Sequence, residues 1–129
     1  MPQTLICNIL PSLFFLFFSG LALAADYGVI DHVEMKGLID ADVHNFMLVD
    51  VRNPEEYRES HIPGAINIPV ASFASQSDIL DKNKKIIVYC NSGGRSYNAY
   101  RKLMKLSYKE INQAIFADWK EAGLPVEKP

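Results

Sequence analysis

The chain has 129 residues, of which 49% are hydrophobic and 22% are charged, and its formal net charge is −2. This length and hydrophobic content predict one small globular domain that buries its own core without a metal ion or a disulfide. The slight negative charge excludes an extended basic surface, so no nucleic-acid partner is expected.

The N-terminal segment predicts export. The first 25 residues carry no charged side chain, and residues 5–23 are mostly Leu, Ile and Phe before the small-residue motif Ala22-Leu23-Ala24. This pattern is typical of a signal peptide at residues 1–24, cut after Ala24, which would leave a mature domain of residues 25–129 without stable membrane insertion. The alternative is an uncleaved segment that tethers the domain to the membrane, since the run approaches spanning length.

Three elements are predicted at the start of the mature chain. Val29 and Ile30 predict a short first strand, and Asp31 predicts the N-cap of a helix that runs to about Ile39. The continuous apolar run of residues 46–51 is typical of a central parallel strand that is buried on both faces.

Three polar residues that follow are candidates for supporting roles. Asp50 and Arg52 lie near the carboxyl end of that strand, where open α/β sheets place their sites, and the favoured interpretation is that they pair with each other or with nearby backbone. His61 lies in a turn that leads into a short strand. It could act as a base for Cys90, although a structural hydrogen bond is the favoured role.

Short helical segments are predicted around these residues. Asn53, Pro54 and Glu56 predict an N-cap, a first helical position and a capping-box partner. Residues 71–80 predict short helical turns, and residues 81–85 predict a polar turn that leads into the next strand.

The segment 85–96 contains the strongest functional signal. An apolar, β-branched run ends at Cys90, a loop with two glycines follows, and an amphipathic helix comes next. Gly93 and Gly94 supply the positive φ that such a tight loop needs. The loop turns its backbone N–H groups into one concavity, where they and the guanidinium of Arg95 would favour a thiolate over a thiol. Cys90 is therefore the candidate nucleophile, and the candidate substrate-binding residues are Asn91, Ser92, Gly93, Gly94, Arg95 and Ser96.

Cys90 would also be the lone cysteine of the mature chain, because cleavage removes Cys7. No internal disulfide could then form, and the cysteine is either a buried bystander or a thiol kept for use. The glycine-containing loop that follows Cys90 favours the second interpretation. No second His or Cys lies at metal-ligand spacing, so no metal site is expected.

The last part of the chain completes an α/β pattern. A helix is predicted over 96–106, a last short strand at 110–111, and a helix over 115–122 that carries Trp119. Short strands that alternate with helices predict a mostly parallel sheet that is covered on both faces.

Four motifs in this order resemble those of single-domain rhodaneses. They are Val49-Asp50-Val51-Arg52 followed by Glu56-Tyr57, the segment 61–69, the Cys90 loop within 88–96, and the segment 119–126. The resemblance covers nearly all of residues 25–129. It implies the rhodanese-like three-layer fold, with a mostly parallel central sheet of about five short strands and helices on both faces. Together with the export signal, the sequence resembles the small periplasmic rhodanese of the bacterial phage-shock response.

The resemblance implies thiosulfate sulfurtransferase activity without a cofactor. Cys90 would take a sulfane sulfur from a small anionic donor such as thiosulfate, hold it as a persulfide and pass it to cyanide or a thiol. Arg95 would help to place the dianionic donor or steady the loop. The loop from Cys90 to Arg95 has six residues, the length found in rhodaneses, whereas the related cell-cycle phosphatases have one residue more. A phosphatase is therefore disfavoured.

Two departures from the family pattern lie near the C-terminal edge of the domain. The Gly-Gly pair that is common shortly before the tryptophan is missing, and Ser107 stands where a glycine often precedes the tyrosine. Two alternatives to the sulfurtransferase remain. One is a weakly active or non-enzymatic rhodanese module that binds a protein or carries sulfur. The other is a redox protein whose lone thiol exchanges with partner disulfides, although a dithiol motif is missing.

Overall fold

The computed structural model describes residues 27–41 and 45–128, so the predicted signal segment 1–24 lies outside the described residues. The helices are α1 (His32–Asp40), α2 (Pro54–Glu59), α3 (Phe73–Gln76), α4 (Gly94–Lys105) and α5 (Phe116–Glu121). The strands are β1 (Phe46–Asp50), β2 (Ile66–Asn67), β3 (Lys85–Cys90) and β4 (Ile111–Ile115). Within this described part, no helix is long and apolar enough to cross a membrane.

The four strands form one parallel sheet in the order β2-β1-β3-β4. The predicted α/β class is thereby confirmed, and the described residues form four strands where about five were expected. The predicted first strand is reduced to an isolated bridge between Val29 and Gln113. Left-handed backbone at Tyr27 and Gly28 on one side, and the N-cap Asp31 on the other, leave too short an extended stretch for a ladder.

The two faces of the sheet bury separate cores because side chains of a strand alternate between faces. Ile86, Val88 and Cys90 of β3 enter the core beneath α3 and α4. Ile87 and Tyr89 enter the core beneath α1 and α5. β3 is therefore buried on both faces, and packed side chains on each side of the sheet hold Cys90 in place.

Both predicted N-caps are present. The Asp31 carboxylate accepts a hydrogen bond from the backbone N–H of Glu34 at 2.8 Å. Asn53 and Glu56 form the predicted capping box at the start of α2. The predicted short helical turns are also confirmed, as α3 and the two three-residue 3₁₀ turns that flank it.

Some predicted boundaries differ from the structure. β4 extends to Ile115 and α5 therefore begins one residue later than predicted. α4 begins at Gly94, two residues before the predicted start, because the left-handed residue Gly93 already ends the loop. Arg95 and Ser96 consequently lie in the first turn of a helix rather than in the loop itself.

Candidate active site

Cys90 is the last residue of β3, and β3 lies between β1 and β4. The carboxyl ends of parallel strands meet at one edge of a sheet, which is where such folds bind ligands. Gly93 has a φ of 109°, and a Cβ built there would lie 3.3 Å from the Ile115 Cδ1 atom. The predicted need for a left-handed glycine is confirmed at Gly93, whereas Gly94 begins α4.

Hydrogen-bond donors surround the Cys90 sulfur. The backbone N–H of Gly93 donates to Sγ at 3.0 Å, and that of Ser96 donates at 3.4 Å. Burial of the thiol raises its pKa, since only 1% of Cys90 is exposed. Hydrogen bonds from the Ser96 hydroxyl and from the N–H groups of Ser96, Gly93 and Ser92 outweigh burial, so the pKa of Cys90 lies below its usual value.

Ser96 connects Cys90 to the edge strand β4. Its Oγ accepts from the Cys90 thiol at 3.5 Å and can donate its own proton to Gln113 Oε1 at 2.8 Å. Gln113 is 2% exposed, and its Nε2 donates to the carbonyl of Tyr27 at 3.1 Å. Sequence reasoning missed Gln113, because Asn112 and Gln113 interrupt the apolar pattern and a single sequence does not show which amide is buried.

Arg95 makes its hydrogen bonds to Glu56. Nη1 and Nη2 donate to the two carboxylate oxygens at 2.6 and 3.0 Å. The pair ties the first turn of α4 to α2, and it holds the pKa of Glu56 below its usual value. Cys90 and Arg95 interact electrostatically, but no hydrogen bond joins them among the described residues. The guanidinium therefore acts on Cys90 through its charge rather than through a hydrogen bond, and its pair with Glu56 matches the expected role of steadying the loop.

Asp50 and Arg52 form a buried ion pair, as the favoured interpretation predicted. Arg52 Nη2 lies 2.7 Å from Asp50 Oδ2, and Nε lies 3.0 Å from Oδ1. Arg52 also donates to the Ser60 carbonyl at 2.6 Å, and its guanidinium carbon lies 4.3 Å from the centre of the Phe116 ring. The two charges compensate each other inside the fold, where they hold β1, the following loop and α5 together.

His61 has a structural environment. Its Nδ1 lies 2.8 Å from the carbonyl oxygen of Tyr57, and its ring stacks on the Tyr57 ring with 3.8 Å between centroids. Its Nε2 lies 3.4 Å from a carboxylate oxygen of Glu127. These contacts match the favoured hydrogen-bonding role. Among the described residues, no hydrogen bond joins His61 to Cys90.

An open groove of about 500 Å³ lies beside the loop. We call it the loop groove. Tyr27 and Val29, which are both about half exposed, lie on one side of the groove, and Tyr97 of α4 also lines it. The groove is lined by Tyr27, Val29, Ser92, Gly93, Gly94, Tyr97, Gln113 and Ile115.

Comparisons with known proteins agree with this architecture. A family model described as a rhodanese-like domain matches residues 31–120. A sulfurtransferase of Allochromatium vinosum is 34% identical over 92 residues, which covers 69% of this chain and 85% of the relative. The thiosulfate sulfurtransferase PspE of Escherichia coli is 38% identical over 68 residues, which covers 51% of this chain and 65% of the relative.

A solved structure shows the same fold. The crystal structure of a rhodanese-related protein from Thermoplasma volcanium has a TM-score of 0.69 and 30% identity, covering 77% of this chain and 96% of that chain. The family model extends from the N-cap of α1 into α5 and includes the whole loop after Cys90. The chain therefore belongs to the rhodanese-like domain family.

Proposed function

We propose that this protein is an exported thiosulfate sulfurtransferase that carries a sulfane sulfur on Cys90. The observation that supports the proposal is the buried Cys90 sulfur with the N–H groups of Gly93 and Ser96 at 3.0 and 3.4 Å. These donors favour an anionic sulfur at the end of β3. Relatives named sulfurtransferase and thiosulfate sulfurtransferase add family-level support.

In the first half-reaction, the Cys90 thiolate attacks the outer sulfur of thiosulfate. A bond forms between Sγ and that sulfur, the sulfur–sulfur bond of the donor breaks, and sulfite leaves with the electron pair. One thiolate charge and two thiosulfate charges become one persulfide charge and two sulfite charges. No oxidant, metal ion or cofactor enters this balance.

In the second half-reaction, cyanide or a thiolate attacks the outer sulfur of the persulfide. The new bond forms to the acceptor, the bond to Sγ breaks, and Cys90 leaves as a thiolate. The N–H groups of loop residues 91–96 hold the anion in both half-reactions, so they favour persulfide and leaving thiolate alike. The buried pair Asp50 and Arg52, together with His61, supports the fold around the site without touching the reacting sulfur.

We also propose that the mature protein is periplasmic. The uncharged apolar segment and the Ala22-Leu23-Ala24 motif support cleavage after Ala24. In the alternative form, segment 1–24 remains attached and tethers the domain to the membrane.

The intact mass of the protein from a cell-envelope fraction tests both proposals. Incubation with thiosulfate is expected to add the mass of one sulfur atom to a chain that begins at Ala25. The matched Cys90→Ser variant is expected to gain nothing. A folded wild-type protein that has a free thiol and gains no sulfur would contradict the thiosulfate proposal, and would favour a binding or redox role. An uncut N-terminus would contradict cleavage and indicate the tethered form.

A further inference from the structure

Gln113 is a buried amide whose two ends contact different parts of the chain. It lies in the edge strand β4 and is 2% exposed. Its Nε2 donates to the carbonyl oxygen of Tyr27 at 3.1 Å, and its Oε1 accepts from the Ser96 hydroxyl at 2.8 Å. The carbonyl of Tyr27 can only accept, so it fixes which end of the amide faces Ser96. A flipped amide would lose this hydrogen bond and bring two carbonyl oxygens together.

Backbone contacts hold the carbonyl of Tyr27 in its place. The segment 27–29 lies beside β4, where a parallel bridge joins its last residue to Gln113. The Gln113 N–H donates to the Gly28 carbonyl at 3.0 Å, and the Asn112 side chain donates to the same carbonyl at 2.9 Å. The position of this segment therefore determines the orientation of the buried amide.

The fixed amide competes for the proton of the Ser96 hydroxyl. In the described part of the chain, this hydroxyl is the side-chain donor that Oε1 of Gln113 has. When Cys90 is a thiol, its S–H donates to Ser96 at 3.5 Å and Ser96 donates to Gln113, so both acceptors are satisfied. When Cys90 is a thiolate, the hydroxyl can turn to the sulfur only by leaving a buried oxygen without its donor. The observed orientation of the amide therefore favours the neutral thiol.

The opposite orientation of the amide would favour the thiolate. The NH₂ group of Gln113 would then donate to Ser96 Oγ, and the hydroxyl proton would be free to bind the Cys90 sulfur. This orientation requires the carbonyl of Tyr27 to move away, because Oε1 would otherwise face a second oxygen. The segment 27–29 is thus coupled to the nucleophile through two side chains.

We propose that Gln113 is a positioning residue for the attack of Cys90 on the sulfur donor, and that the segment 27–29 restrains this attack by fixing its amide. This inference rests on the proposed sulfurtransferase function. The bonds that form and break in the first half-reaction stay the same, because Gln113 makes no hydrogen bond to Cys90 among the described residues. It acts through Ser96 on the fraction of the nucleophile that is ionised.

The charged groups near the nucleophile are independent of this coupling. On α4, α2 and the end of β1 they form two ion pairs, which are Arg95 with Glu56 and Arg52 with Asp50. Within the described ranges, no hydrogen bond joins either pair to Gln113. A change confined to Gln113 or to the segment 27–29 therefore leaves these charges in place.

The substitution Gly28→Ala tests the role of the segment. A Cβ at this position would lie 2.9 Å from the carbonyl oxygen of Ile111, so the segment must shift away from β4. The alkylation rate of Cys90 by iodoacetamide is measured as a function of pH. Its midpoint is expected to move to lower pH, and alkylation below the wild-type midpoint should be about two- to tenfold faster, the size expected for one hydrogen bond. Uptake of sulfur from thiosulfate, followed by intact mass, should accelerate by a similar factor at the same pH.

The matched control is Gly123→Ala. Gly123 has a φ of 70° and Gly28 has a φ of 69°, so alanine meets the same left-handed strain at both positions. No atom lies within 4 Å of a Cβ built on Gly123. The control therefore changes the same residue type with the same strain but displaces nothing at β4, and its midpoint should equal that of the wild type.

A double variant tests whether the segment acts through the amide. Gln113→Leu alone is expected to move the midpoint to lower pH, because the competing acceptor is gone. Gly28→Ala added to Gln113→Leu should then cause no further shift, since the group that couples the segment to Ser96 is missing. A structural opening of the site would instead add its own shift in the double variant.

Three results would overturn the inference. They are an unchanged or higher midpoint in a folded Gly28→Ala protein, an unchanged or higher midpoint in Gln113→Leu, and additive shifts in the double variant. If Gly28→Ala gives no cooperative urea transition, Gln113→Leu decides alone.

The same measurements separate this inference from the proposed function, because alkylation needs no sulfur donor. If the midpoints shift as expected but the wild type takes up no sulfur from thiosulfate, the proposed function fails. If the wild type takes up sulfur and the midpoints do not move, only the positioning role of Gln113 fails.

Discussion

The hydroxyl group of Ser96 has a single proton and more than one acceptor within reach. Gln113 Oε1 lies at 2.8 Å and the Gly93 carbonyl at 3.2 Å, while the Cys90 sulfur lies at 3.5 Å. When Cys90 is a thiol, its S–H can donate to Ser96, and Ser96 can donate to Gln113. When Cys90 is a thiolate, the hydroxyl gains a charged acceptor. Ser96 therefore responds to the protonation state of the nucleophile, and Gln113 competes for its proton.

Replacement of Ser96 by Ala is expected to raise the pKa of the Cys90 thiol. The hydroxyl is one of the groups that lower this pKa, and one hydrogen bond to a charged group stabilises by about 1.5–3 kcal/mol at most. At neutral pH the fraction of thiolate falls, so alkylation by iodoacetamide should slow by roughly ten- to hundredfold. The measurement is the alkylation rate as a function of pH, whose midpoint should move to higher pH than in the wild type.

Two further variants test the cause of this shift. Ser92→Ala keeps the backbone N–H that acts on Cys90 and removes an exposed hydroxyl, so the midpoint should stay in place. Gln113→Leu removes the competing acceptor and should move the midpoint to lower pH. An unchanged midpoint in Ser96→Ala would show that the backbone donors alone set the thiolate population.

At the scale of elements, the end of α4 contains a strained residue. The helix ends at Lys105, and Ser107 adopts a φ of 63°, a left-handed conformation that favours glycine. The Tyr108 N–H then donates to the Leu103 carbonyl at 3.4 Å, which closes the helix. Ser107 therefore makes the turn that ends the helix, but its left-handed conformation costs conformational energy.

The substitution Ser107→Gly is expected to raise the free energy of unfolding by about 0.5–1 kcal/mol. Relief of left-handed strain outweighs the larger conformational entropy of glycine in the unfolded chain. Equilibrium urea denaturation measures the change as a higher midpoint with an unchanged slope. The control Ser75→Gly introduces the same residue within α3 and should destabilise the protein by up to about 1 kcal/mol. A lower urea midpoint for Ser107→Gly would contradict the claim that the left-handed conformation of Ser107 destabilises the fold.

The elements differ in how well one sequence predicts them. β3 and its loop were predictable because an unbroken apolar run stops at Cys90 and two glycines follow. The first strand was overpredicted, because Val29 and Ile30 have strand propensity but are too few to form a ladder. The extent of β4 was underpredicted, because Asn112 and Gln113 are polar and their burial depends on the neighbouring strand and on the segment at Tyr27. Tertiary contacts override local preference at these positions.

At the scale of the whole molecule, the Glu56–Arg95 pair joins two helices across 39 positions in the sequence. Both side chains are about one-third exposed, at 32% and 34%. Such a pair stabilises the fold by less than about 1 kcal/mol. The pair has a larger effect on the charge near the nucleophile than on stability. The Glu56 carboxylate compensates the positive charge of Arg95, and Arg95 interacts electrostatically with Cys90. The sequence alone assigned Glu56 only to a helix cap, since pairing over this distance requires the folded chain.

The substitution Glu56→Gln is expected to lower the KM for thiosulfate by about two- to fivefold. It removes the charge that compensates Arg95, so the dianionic donor meets a more positive loop. Steady-state kinetics at neutral pH and low salt measure the change, and added salt should reduce it. Because the folded pKa of Glu56 is lowered, the stabilisation from its ion pair is present above the ordinary value of 4.5 and is lost as the pH falls through the lowered value.

The neighbouring variant Glu55→Gln provides the control. It makes the same change in net charge on the same helix, but Glu55 is exposed and lies 3.6 Å from Arg58. Its KM for thiosulfate should match the wild type. If Glu56→Gln raises KM instead, the pair serves to fix the loop position more than to set its charge.

Tyr27 lies at the mouth of the loop groove, because it lines the groove and packs against the Tyr97 ring. An affinity tag or fusion partner attached directly before Ala25 would start within about 10 Å of this mouth, because an extended residue spans about 3.5 Å. A tag at the other end would follow the segment in which Glu127 exchanges backbone hydrogen bonds with His61. Sulfur loading of Cys90 should therefore be measured in protein purified through its carboxyl end.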